Sequence, residues 1–242
     1  MLEVPDVEMR YLELREEIVR SCDRCDGRGF HVDHEEDGDW KQRRCVCVDR
    51  VDRICRLIRG NVPPEFWGAD QIRFTQNREQ RRRVLAYSGD HEWRSGAGLI
   101  LTGENGTGKT VCGCTVLIRV ADHKKTVGYI TSHDLISSII RAESDREFGE
   151  WYKGLIGSYC LVIDELGKEH RKEGSDWVFT GLDDVLRRRR GMNLPTILIS
   201  NFTLAQMVKT YGESFASIRR GWLEVVRFDS GDFRKEQDHV QR

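Results

Sequence analysis

A parallel α/β fold is predicted by three stretches of the sequence. The first is Gly103-Glu104-Asn105-Gly106-Thr107-Gly108-Lys109-Thr110, which satisfies the G-x-x-x-x-G-K-[ST] spacing of a phosphate-binding loop. It lies between a short apolar strand, Gly98 to Thr102, and a helix start carrying Val111, Cys112, Cys114, Val116, Leu117 and Ile118, the context this loop requires. The second stretch, Cys160-Leu161-Val162-Ile163-Asp164-Glu165, is an apolar run ending in two carboxylates. Such a run reads as a buried parallel strand whose C-terminal edge opens on a ligand crevice. The third, Pro195 to Asn201, is a buried strand ending in the polar pair Ser200-Asn201.

Composition sets the bounds. The chain has 242 residues, 38% hydrophobic and 33% charged, which suits one sizeable α/β domain with a small appendage and excludes a disordered or membrane-spanning chain. The longest apolar runs are of strand length, and the acidic, polar start lacks a signal-peptide core, so a cytoplasmic location is expected. A net charge of −1 gives no global attraction to nucleic acid; a DNA contact has to come from a local patch such as Arg187 to Arg190. Of the 8 cysteines, five fall in the N-terminal quarter of the chain, which in a cytosolic chain points to metal ligation.

Taken in order, Pro5 to Arg20 reads as a charged amphipathic helix with a thin stripe of Leu12, Ile18 and Val19. Cys22-x-x-Cys25 and Cys45-x-Cys47 then flank a polar hairpin formed by Phe30-His31-Val32, a turn at Asp37-Gly38-Asp39, and Trp40. Two cysteine pairs so placed can converge on one tetrahedral zinc ion, which would supply the folding energy of a unit with almost no core. His31 and His34 are the possible substitute ligands. Val48 to Ile58 is a helix in which Cys55 packs, and Asn61-Val62-Pro63-Pro64 breaks it. That break divides the chain into an N-terminal zinc-binding domain, 1–60, and a phosphate-loop domain, 61–242.

An aromatic lead-in at Phe66-Trp67 follows, then a helix from Gln80 to Tyr87 whose Arg81, Arg82 and Arg83 face solvent or phosphates. In the phosphate loop the glycines let consecutive N–H groups and a helix N-terminus face one anion. Lys109 then reaches the β/γ-phosphates and Thr110 offers a hydroxyl to Mg²⁺. Thr126 to Thr131 is a second strand, followed by a helix N-capped by Ser132. Asp164 suits Mg²⁺, Glu165 suits polarisation of the attacking water, and Asn201 suits contact with the γ-phosphate or that water. Trp177 to Arg190 is a helix with Leu182, Val185 and Leu186 inward. Leu223 to Phe228 is a last strand, preceded by Arg219 and Arg220. Cys112, Cys114 and Cys160 fall among core positions.

With these motifs in place the chain resembles the DnaC/DnaI group of AAA+ replicative helicase loaders. The resemblance includes the cysteine unit, which looks like the N-terminal zinc module of DnaI-like and phage loaders, and the ending Gly231-Asp232-Phe233-Arg234. It implies that Gly103 to Thr110 is Walker A, that Asp164 and Glu165 are Walker B, and that Asn201 is sensor 1. Arg219 or Arg220 corresponds to the arginine finger, in a run that departs from the family's pattern. The implied activity is ATP hydrolysis with Mg²⁺ at a subunit interface between self-associated copies. The implied partners are a DnaB-type hexameric helicase and single-stranded DNA. The same core also resembles IstB-type transposition helpers, which would bind a transposase and duplex DNA instead.

Overall fold

The computed structural model describes residues 2–34, 40–72, 76–168 and 176–229. The turn Asp37-Gly38-Asp39 and the ending Gly231-Asp232-Phe233-Arg234 lie outside these residues. Asp6 opens the first helix, its carboxylate accepting the Met9 N–H at 3.1 Å, and α1 spans Val7–Arg20. Leu14 and Val19 are its buried residues, whereas Leu12, expected inward, is 62% exposed. One packed face explains the difference, since α1 leans on α2 (Val46–Arg59). Between them, β1 (Phe30–His34) and β2 (Trp40–Arg44) form the expected antiparallel hairpin, with His34 opposite Trp40.

Helix α2 serves two neighbours. Val51, Ile54 and Cys55 pack with the cysteine unit, while Leu57 is buried in the core beneath the sheet. The chain beyond the helix then completes a strand edge. The Gly60 carbonyl accepts the Tyr129 N–H at 2.7 Å, and Asn61 Nδ2 donates to the Tyr129 carbonyl at 3.1 Å. These bonds satisfy backbone groups that an edge strand would otherwise leave open. A side chain at Gly60 would lie 2.3 Å from the Val127 carbonyl oxygen, so the close approach requires glycine. The proline break therefore follows a helix already seated on the core of the main sheet.

The remaining elements are α3 (Arg78–Gly89), β3 (Gly98–Gly103), α4 (Lys109–Asp122), β4 (Val127–Thr131), α5 (Ser132–Ser144), α6 (Arg146–Ile156), β5 (Cys160–Leu166), α7 (Asp176–Gly191), β6 (Thr196–Ser200), α8 (Leu204–Arg219) and β7 (Leu223–Phe228). The five strands β3 to β7 form one parallel sheet in the order β4-β5-β6-β3-β7. Alternating side chains fill two cores. Leu99, Leu101, Val162, Ile197 and Ile199 pack toward α4, while Ile100, Leu161, Ile163 and Leu198 pack toward the layer of Phe148, Leu182, Leu186 and Met207. A strand buried on both faces is apolar at consecutive positions, which is the run read in the sequence. Each such side chain contributes about 1.5–3 kcal/mol through burial.

Two local expectations are corrected. The N-cap of α5 is Thr131, whose Oγ1 accepts the Asp134 N–H at 3.0 Å; Ser132 instead donates its hydroxyl to the Glu165 carbonyl at 2.9 Å. Arg83, read as facing solvent or phosphates, lies between two carboxylates and donates to Glu92 and Glu224. Both carboxylates hold its guanidinium charged by pushing its pKa up.

Candidate nucleotide-binding site and cysteine centre

The phosphate loop bends where its glycines permit it. Gly103, Gly106 and Gly108 all have positive φ, of 138°, 75° and 88°. At Gly103 a Cβ would lie 2.1 Å from the Phe228 carbonyl oxygen of the neighbouring strand, so no other residue fits there. Asn77, absent from the sequence reading, supports the loop from outside by donating its amide to the Thr107 carbonyl at 3.3 Å. Lys109 is 6% exposed, and its ammonium donates to the carbonyls of Gly103 at 2.8 Å and Glu104 at 2.5 Å.

Strand β5 brings both acids to the cleft by breaking its own alternation. Consecutive strand residues point to opposite faces, but the β5–β6 register shifts between Ile163 and Leu166, and Glu165 has φ 61°. Asp164 consequently turns inward and is 4% exposed, while the Glu165 side chain lies at the cleft mouth. Asp164 Oδ2 accepts the Thr110 hydroxyl at 2.8 Å and the Tyr129 hydroxyl at 2.9 Å, and its Oδ1 accepts the Glu165 N–H at 2.6 Å. Burial pushes the Asp164 pKa up against these three bonds, which favour its charge. Glu165 Oε1 is paired with Lys168 Nζ at 2.6 Å.

Asn201 donates its amide to Asn105 Oδ1 at 2.8 Å, which ties the end of β6 to the phosphate loop. Together these residues line a cleft of about 270 Å³, with Phe66, Ile72 and Val111 as its apolar wall. A charged loop beside an apolar wall suits a nucleotide, whose base and phosphates demand opposite surroundings. Thr110 and Asp164 fit a hard divalent cation, because two oxygen donors meet at one point beside the loop.

The arginines divide. Leu223 stands opposite Gly98, so Arg219 and Arg220, just before it, lie at the sheet edge opposite the phosphate loop at Gly103. Arg220 is exposed, and the Arg219 Nε is buried without a hydrogen-bond partner. Arg189, read as part of a surface basic run, is fully buried. Its guanidinium donates to Thr196 Oγ1 and to the carbonyls of Ile156, Ser158, Tyr159 and Pro195, so it holds the bottom of the sheet together.

In the N-terminal unit the four sulfurs of Cys22, Cys25, Cys45 and Cys47 lie within 4.8 Å of one another. Cys22 and Cys45 are 3.9 Å apart and Cys25 and Cys47 are 3.7 Å apart. A zinc–thiolate tetrahedron with bonds of about 2.3 Å has edges of about 3.8 Å, so the donor set fits that ion. Burial opposes ionisation of Cys25, yet the Gly29 N–H and the other sulfurs bring it down to about 7. His31 and His34 are outside this cluster, on the hairpin. Metal analysis is expected to find about one zinc per chain, lost in Cys22→Ser plus Cys25→Ser. A metal-free chain with a protease-resistant N-terminus would refute the assignment.

Sheet order, phosphate loop and acid-tipped strand define the class: a P-loop ATPase of the AAA+ type. The profile of the IstB-like ATP binding protein family matches residues 46–218, and the chain belongs to that family. No curated protein matches it in sequence. Among solved structures, the DnaC helicase loader is similar at 20% identity with a TM-score of 0.59, over 69% of this chain and 99% of that one. DnaI is similar at 18% identity and a TM-score of 0.56, over 72% and 94%. DnaA bound to AMPPCP and single-stranded DNA is similar at 15% identity and a TM-score of 0.58, over 74% and 56%. These likenesses establish the fold.

Proposed function

We propose that the chain is an ATP-dependent helicase loader, which binds a hexameric replicative helicase of the DnaB type and places it on single-stranded DNA in the bacterial cytoplasm. The observation that carries this reading is the joining, through the shared helix α2, of a nucleotide cleft to a four-cysteine unit. Its first cysteine pair and hairpin precede the family match at residue 46. The DnaC and DnaI likenesses support the same reading. Among the described residues no helix is long and apolar enough to cross a membrane.

In this reading Lys109 neutralises charge on the β/γ-phosphates, and Thr110 and Asp164 would hold Mg²⁺, which when bound spreads the phosphate charge. Glu165 takes a proton from water as the water oxygen bonds to the γ-phosphorus. The bond from that phosphorus to the bridging oxygen breaks, releasing ADP and phosphate. Asn201 orients the γ-phosphate or the water. Arg219 or Arg220 acts on the cleft of an adjacent copy.

Docking falls to the N-terminal unit. Met9 and Leu12 of α1 are 58% and 62% exposed, and a groove bordered by Val7, Tyr11 and Leu12 runs between α1 and α2. DNA contact falls to the ATPase domain through arginines such as Arg187, Arg188 and Arg190, and should weaken steeply with salt. Arg187 and Arg188 already pair with Asp183 and Asp184 respectively, so a phosphate contact by either has to displace a carboxylate.

A truncation tests the division of labour, and the cut belongs before Val46, because removing α2 would also remove Leu57 from the core and the Gly60 bond to β4. The chain lacking residues 1–45 is expected to keep ATPase and single-stranded DNA binding and to lose helicase capture in a pull-down. The family match also admits a transposition helper. Capture of a transposase and duplex DNA by the full chain, with the helicase ignored, would establish that alternative.

A further inference from the structure

The cleft holds a second cation that the proposed hydrolytic scheme does not use. Lys168 lines it together with Lys109, but the two lysines are held differently. Lys109 is buried, with its ammonium held by the Gly103 and Glu104 carbonyls of the loop. Lys168 stands at the mouth with its side chain 50% exposed, and its ammonium sits 2.6 Å from Glu165 Oε1.

Two hydrogen bonds to one carbonyl shape the backbone that carries this pair. The Glu165 carbonyl accepts both the Ser132 hydroxyl at 2.9 Å and the Lys168 N–H at 3.1 Å. The second bond closes a tight turn that sets Lys168 over Glu165. Gly167 makes the turn possible: it has φ 97°, and a Cβ there would lie 2.6 Å from the Phe202 ring. An ammonium on a carboxylate oxygen withdraws the electron density that oxygen needs to polarise water. It also competes with water for that oxygen.

We infer that Lys168 is a positioning residue: its ion pair with Glu165 restrains the resting ATPase, and turnover rises when the pair opens. This rests on the reading of Glu165 as the water-activating group. Both side chains are close to half exposed, so the pair is weak enough to be opened by a partner that offers Lys168 another carboxylate.

Steady-state ATPase of the full-length chain tests it, with Lys168→Ala, Lys168→Arg, Glu165→Gln and the double variant Lys168→Ala, Glu165→Gln. Lys168→Ala is expected to raise kcat about two- to five-fold, the range an exposed ion pair can withhold, with KM for ATP unchanged. Lys168→Arg should keep the wild-type rate, because it keeps the pair. The double variant should be as inactive as Glu165→Gln, because the gain passes through Glu165. An unchanged or lower kcat in Lys168→Ala, or a raised KM, overturns the restraint; so does a gain in the double variant. Wild-type turnover in Glu165→Gln overturns the assignment of Glu165 itself, and the restraint with it.

Discussion

Lys109→Ala is expected to weaken nucleotide binding severely while leaving the fold intact. The ammonium is the cation held inside the loop, 6% exposed and fixed by the Gly103 and Glu104 carbonyls and the Thr107 hydroxyl. Lys168 does not replace it: it stands half exposed beside Glu165 and makes none of these loop contacts. Losing one member of a buried, hydrogen-bonded charge pair costs about 2–5 kcal/mol. That is a weakening of Kd by roughly thirty- to several-thousand-fold. Alanine suits the first turn of α4, so the helix itself should persist. Calorimetric titration with Mg²⁺-ATP measures the affinity, and a thermal melt without nucleotide checks the fold. Affinity near the wild-type value would remove Lys109 from the site.

Lys109 was legible in the sequence because the loop is contiguous: its spacing, the strand before it and the helix after it all lie within one short stretch. The acids at Asp164 and Glu165 were legible for the same reason. Their partners were not. Tyr129 reaches Asp164 only because β4 and β5 pair in a register that sets Tyr129 opposite Val162, and nothing local in Val127-Gly128-Tyr129 announces it. Lys168 meets Glu165 through a bulge and a positive φ at Glu165, features of the folded strand end. The four arginines ending α7 illustrate a different failure. As a sequence they form one basic run, but each helical residue turns about 100° from the last. Arg189 therefore points inward while Arg187 and Arg188 stay outside with their aspartates. The cysteine spacing foretold the convergence of four sulfurs, since a hairpin between two pairs leaves them few other places to go.

The pair Arg219→Ala, Arg220→Ala is expected to lower ATP hydrolysis by roughly a thousand-fold or more, the usual worth of an arginine finger. The sheet register supplies the reason to look for this effect between molecules. Leu223 pairs with Gly98 and Phe228 with Gly103, so the turn carrying these arginines and the phosphate loop occupy opposite edges of the same two strands. An arginine there cannot touch the phosphates bound by its own chain, whereas it can touch those of an adjacent copy. Hydrolysis by the wild-type chain should therefore rise more steeply than linearly with protein concentration. The double variant mixed with Lys109→Ala should regain activity, because some mixed interfaces join an intact cleft on one chain to an intact arginine on the other. Single substitutions then decide between Arg220, which is exposed, and Arg219, whose Nε is buried without a hydrogen-bond partner. If the mixture stays inactive while both variants still assemble, the finger lies elsewhere, and Arg189 is not its replacement: five hydrogen bonds hold that guanidinium inside the sheet's base.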